Sequence, residues 1–137
     1  MKRTLLLILA AVLMLLTGCS NLNTTDDISA FVEENADLII ETAVRGNYDA
    51  MLIMPEVDNI YNSMDCVVFT TGYSGLLTDT RCGFYYSFDG APAGAGYANS
   101  WKLTEKDGAY TWNDSKGRIE YHTTHLFGNF YYFEGTW

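Results

Sequence analysis

The chain has 137 residues, with eight Lys and Arg against seventeen Asp and Glu and a formal charge of −9. That length makes one domain with a modest core. The acidic balance argues against nucleic acid, which is held by Lys and Arg on phosphates, and against electrostatic adhesion to anionic lipid.

Lys2 and Arg3 precede a twelve-residue apolar run from Leu5 to Leu16. At 1.5 Å per residue such a helix is too short for ~30 Å of hydrocarbon, so it reads as an export signal rather than a permanent span. Leu16-Thr17-Gly18-Cys19 follows at once and resembles the lipobox of bacterial membrane lipoproteins at all four positions. The resemblance implies cleavage between Gly18 and Cys19 and a diacylglyceryl (palmitate-type) group on the Cys19 sulfur. Two chains anchor stably where one is marginal, so the expected location is the extracytoplasmic face of the cell membrane.

On this reading residues 1–18 are a lipoprotein signal peptide, 19–25 a tether and 26–137 a single α+β domain. Loss of Lys2 and Arg3 leaves six basic residues and a formal charge of −11. Fully extended, the seven-residue tether reaches ~25 Å at most.

Thr24, with Asp27 three residues on, forms a capping-box variant, and Asp26, Asp27, Glu33 and Glu34 suit the positive end of a helix. Ile28, Phe31, Val32, Ala36, Ile39, Ile40 and Ala43 then recur at steps of three and four, which predicts an amphipathic helix from Asp26 to Arg45, ended by Gly46-Asn47. A short helical piece is expected over Tyr48 to Met54, before Pro55. Glu56 to Asp65 fits neither period.

Alternation begins at Cys66. Cys66 to Tyr73 and Arg81 to Phe88 read as strands, and Gly90 to Gly96 as a loop without the glycine order of a phosphate cradle. Trp101 to Lys106 and Ala109 to Asn113 flank Asp107-Gly108, which suits a type I′ turn. That hairpin pairs Leu103 with Trp112 and Glu105 with Tyr110. A four-residue turn over Asp114 to Gly117 brings in Arg118 to His125, with Ile119 beside Trp112 and Tyr121 beside Tyr110. Gly128-Asn129 marks the last turn. The final strand, Phe130 to Phe133 with Trp137, is apolar on both faces and so central or covered. The sum is a helix packed on an antiparallel meander of five or six strands.

Cys66 and Cys82 are an even pair in an exported protein, where disulfides form. A hairpin centred near Ser74 would set them opposite each other. One centred at Leu76-Leu77 would separate them beyond the ~7 Å that a bridge spans. His122 and His125, three apart, point to opposite faces of a regular strand, so neither a metal nor a cofactor is assigned. A nucleophilic pair of Cys82 with His122 would need a depressed thiol pKa, which acidic surroundings oppose.

Fifteen of the twenty aromatic residues lie between Phe84 and Trp137. One helix cannot cover the whole sheet, so some rings either face solvent, suiting glycan or protein contact, or form a second core under loops. Alternation nominates Tyr85, Tyr97, Trp101, Tyr131 and Trp137 as the ring-bearing surface.

Gly83-Phe84-Tyr85-Tyr86-Ser87, Asp107-Gly108, Trp112 and Phe130-Tyr131-Tyr132-Phe133-Glu134 resemble a group of small uncharacterised bacterial lipoproteins and secreted proteins. The resemblance implies an acidic N-terminal helix and a closing aromatic strand, and brings no activity with it. Two functions are therefore expected in turn: a non-enzymatic, lipid-anchored envelope module that binds protein or glycan, or an envelope hydrolase using acidic residues or the histidines.

Overall fold

A computed structural model describes residues 22–74 and 80–136. Cys19 and Trp137 lie outside the described residues, as does the connection 75–79.

Helix α1 spans Thr25–Arg45. The Thr24 hydroxyl oxygen accepts from the Asp27 amide at 3.2 Å, and the hydroxyl donates to Asp27 Oδ2 at 2.6 Å. Gly46 ends the helix in the left-handed region, φ 69°, and returns its N–H to Thr42 O. The buried stripe is Ile28, Val32, Ile39 and Ala43, each large aliphatic contributing ~1.5–3 kcal/mol on full burial. Helix α2, Asp49–Leu52, is shorter than the predicted piece, with the Asn47 side chain accepting from the Asp49 amide. Among the described residues no helix is long and apolar enough to cross a membrane.

The strands are β1 Asn59–Asn62, β2 Cys66–Ser74, β3 Thr80–Ser87, β4 Thr104–Lys106, β5 Ala109–Asn113, β6 Glu120–Phe127 and β7 Phe130–Thr136. All pairs are antiparallel, in the order β1-β2-β3-β7-β6-β5-β4. Two meanders, β1–β3 and β4–β7, join where β7 docks beside β3. The architecture is α+β, with one N-terminal helix packed on a seven-strand antiparallel sheet.

The seventh strand is β1, within the stretch that fits neither period. It has only four residues and its two asparagines are exposed, so a single apolar step, Ile60 to one face and Tyr61 to the other, is all the alternation it offers.

The Asp107-Gly108 hairpin forms as expected, with both φ positive and Glu105 opposite Tyr110. The next register differs from prediction by two residues: Tyr121 faces Trp112, and Tyr110 faces Thr123. Asp114 is the cause. Its carboxylate accepts from the Arg118 and Ile119 amides at 2.6 and 3.1 Å, and its own N–H donates to Ile119 O, closing a longer loop than Asp114 to Gly117 alone. An even slip keeps every side chain on its face, so each residue of β6 still lies on the predicted side of the sheet.

Each face of the sheet carries its own core. Beneath α1 lie Val67, Phe69, Cys82, Phe84, Phe130 and Tyr132, with Phe69 and Phe84 stacked at 4.8 Å. On the other face Cys66, Val68, Tyr85, Tyr121, Tyr131 and Phe133 are covered by the long β3–β4 connection, which contributes Ala93, Ala95 and Tyr97. β7 is central, as its two apolar faces imply.

The Cys66–Cys82 bridge is not formed. Ser74 pairs with Thr80, which excludes a hairpin centred near Ser74. Cys66 then faces Ser87, while Cys82 faces Gly72. The two sulfurs belong to opposite cores.

Candidate functional site

The β3–β4 connection shapes one wall of a concavity on the described surface. Its small residues let the backbone lie close to the tyrosine rings, and tyrosine hydroxyls tie it down. Tyr131, Tyr121 and Tyr61 donate to the carbonyls of Gly90, Ala93 and Ala95 at 2.7, 2.6 and 2.9 Å. The Ala93 amide donates to Tyr85 Oη at 2.9 Å. Because Thr123 Oγ1 gives its proton to Tyr132 O, Tyr85 must donate to Thr123 Oγ1, completing both partnerships of that buried phenol.

The nominated aromatic surface is thereby corrected. Tyr85, Tyr97 and Tyr131 are 0%, 7% and 5% exposed and belong to the second core. Their ring faces are spent on one another: Tyr85 stacks on Tyr131 at 5.1 Å, and Tyr97 on Tyr121 at 5.3 Å. Alternation puts Tyr85 and Tyr131 on the face away from the helix but says nothing of what lies over that face, and Tyr97 belongs to the connection that covers it. The clue in the sequence is the run of Gly and Ala from Gly90 to Gly96, since a backbone almost free of side chains can lie against rings. Trp101 alone of the described nominees is exposed, at 77%.

Trp101 stands on a 3-10 turn, Ser100–Lys102, beside a groove of about 600 Å³ between the β1–β2 turn and the connection, with Trp112 at its far side. The Asp65 carboxylate accepts from Ser100 Oγ at 2.7 Å, and its carbonyl accepts from the Phe88 amide, so both walls are fixed to each other. Gly94 O accepts from the Tyr97 and Ala98 amides, and a Cβ at Gly94 would stand 1.8 Å from Ala98 O. Lys102 Nζ sits 5.1 Å from the centroid of the Trp101 ring. An exposed indole, a fixed carboxylate, an ammonium and hydroxyls from Ser63 and Ser100 can bind a mixed polar and apolar ligand. They do not make a nucleophile with a base.

The other candidate chemistry is dispersed. Cys82 and His122 both flank Glu134 in register, which separates them by two strand spacings, about 9–10 Å. Burial, then the Glu134 charge, pushes the Cys82 thiol up to about 11. Burial likewise pushes Cys66 up to about 12, so both thiols stay protonated at neutral pH. His122 and His125 lie on opposite faces, and His125 Nε2 is 2.8 Å from Gly128 O with its ring edge-on to Tyr131. Among the described residues no three His, Cys, Asp or Glu are arranged to hold a metal ion.

No family model, no curated protein and no solved structure matches this chain.

Proposed function

We propose that this chain is a lipid-anchored envelope protein, acylated at Cys19, that acts as a non-enzymatic binding module and takes a glycan or protein ligand in the groove beside Trp101. The observation that carries the reading is the exposure of one ring: at 77% Trp101 is the most exposed aromatic among the described residues, ahead of Tyr73 and Phe88, and it is held on a short turn at the rim of a braced concavity. Exposing a large ring forgoes burial worth a few kcal/mol. Stacking on a sugar face or anchoring a partner restores it.

Glycan-array and pull-down binding by the purified protein tests the groove. Trp101→Ala should abolish binding without moving the melting temperature, because the ring contributes little to the core. Binding unaltered by Trp101→Ala would remove the groove from consideration. Acylation is tested separately, by mass spectrometry of the native protein and by loss of detergent partitioning in Cys19→Ser.

A further inference from the structure

The groove beside Trp101 opens on an end of the sheet where apolar side chains gather. Seven large apolar side chains are exposed among the described residues, and three of them, Met64, Phe88 and Trp101, are tied to Asp65. Met64 precedes it in the chain and is 91% exposed. The Phe88 N–H donates to Asp65 O, and Ser100, next to Trp101, donates through Oγ to Asp65 Oδ2. Met64 and Trp101 line the groove, while the Phe88 ring turns past the end of β3 to stand edge-on to Tyr86 at 6.2 Å.

These side chains separate a protein ligand from a glycan. A sugar stacks on a flat ring face, which a thioether lacks, and the Lys102 ammonium already lies over the Trp101 ring. Trp, Phe and Met are in excess at protein interfaces. An unbranched methionine adapts its shape to whichever side chain meets it, and an indole is among the strongest anchors that such interfaces use.

Charge narrows the partner further. Asp89 follows Phe88, and the Ala91 amide and the Ser87 hydroxyl both donate to its Oδ1, which holds its carboxyl below the usual carboxylate range. Neither Asp65 nor Asp89 enters an ion pair among the described residues. Lys102 is the one cation lining the groove, and its ammonium faces the Trp101 ring instead of a carboxylate. Unpaired carboxylates beside exposed Trp, Met and Phe complement apolar side chains flanked by lysine or arginine.

We infer that the ligand of the groove is a protein segment, one whose apolar side chains pack on Trp101 and Met64 while an adjacent lysine or arginine meets Asp65. This rests on the groove being a binding site. The rings and the thioether supply the affinity, and the carboxylates select the sign of the partner. Helix α1 is acidic as well, but Val44 is the one large apolar side chain it exposes, so it serves as the control for attraction by charge alone.

The test offers the purified full chain, at physiological salt, synthetic fluorescent peptides with Leu, Phe or Trp beside Lys and Arg. A matched set carries Glu in place of each cation, and a glycan array is read in parallel. The basic set should bind about tenfold more tightly than the acidic one. Asp65→Asn, whose amide oxygen still accepts from Ser100, should weaken that binding about fivefold, the reach of a part-exposed ion pair. Met64→Ser should weaken it too, whereas Glu33→Gln with Glu34→Gln on α1 should leave it unchanged; melting temperatures check that each variant is folded. Equal affinity for the two peptide sets, or equal loss from the Asp65 and α1 changes, overturns the inference. Glycans bound and then lost on Trp101→Ala, with no peptide bound, overturn the protein ligand and leave the groove standing. Binding of neither class, or binding untouched by Trp101→Ala, overturns the groove and the inference with it.

Discussion

The ring of Tyr97 lies against the backbone of Gly135, so closely that a Cβ at position 135 would stand 2.2 Å from Tyr97 Cζ. Tyr97 also donates to Gly135 O at 3.2 Å. The missing side chain in β7 is thus the socket into which the covering connection locks. Gly135→Ala should destabilise the domain by ~1–3 kcal/mol, the usual cost of overpacking, read as a lowered urea midpoint. Combined with Tyr97→Ala, which empties the socket, it should cost much less than the sum of the two. Additive losses would show that the ring and the glycine are not coupled.

The phenol ties should be separable from the rings that bear them. Tyr121→Phe keeps the stacking on Tyr97 but leaves the buried Ala93 carbonyl without its donor. An unsatisfied buried group costs ~1–3 kcal/mol. The loss should be local as well as global: amide exchange at Ala93, whose N–H is held by Tyr85, should accelerate more than exchange at Phe84 in the central β3. Uniform acceleration would mean that the connection opens only with the whole fold.

These two positions also mark where the sequence is legible and where it is not. Helix α1, the Asp107-Gly108 hairpin and the central placing of β7 follow from local period, caps and turn chemistry, which neighbours in the chain dictate. The Asp114 loop defeats the predicted register because one carboxylate gathers two amides ahead of it, a side-chain choice that alternation does not encode. Tyr85, Tyr97 and Tyr131 defeat the surface assignment for a different reason. Period two divides a strand into faces, but the cover over the second face comes from a connection without period of its own. For the site, the exposure of Trp101 was readable in outline; the bracing of its groove by Asp65 and Ser100 joins residues 35 positions apart and was not.

Separation of the two cysteines into different cores gives a redox prediction. Native protein should show no thiol reactive with a disulfide reagent on the minute scale, since both sulfurs are fully buried and protonated. In guanidinium without reductant, acylated protein should release two thiols. Recovery of none under those conditions would establish a bridge and require β2 and β3 to pair in another register.

Alkaline pH should unfold the domain earlier than its carboxylates would suggest. The Cys66 and Cys82 thiols, ordinarily near 9, are raised by burial to about 12 and about 11 in the folded state. Burial raises the phenols of Tyr85 and Tyr61 too. Above pH 9 the unfolded chain therefore holds fewer protons than the folded one, and stability falls with rising pH. The contribution of the thiols is complete below pH 9 and is lost as pH climbs through about 11 to 12. Urea midpoints should be flat from pH 7 to 9 and decline steeply above it. Cys66→Ala should be less stable at pH 7, from lost packing, yet show a shallower decline between pH 9 and 11. An unchanged slope in that variant would assign the alkaline loss to the tyrosines alone.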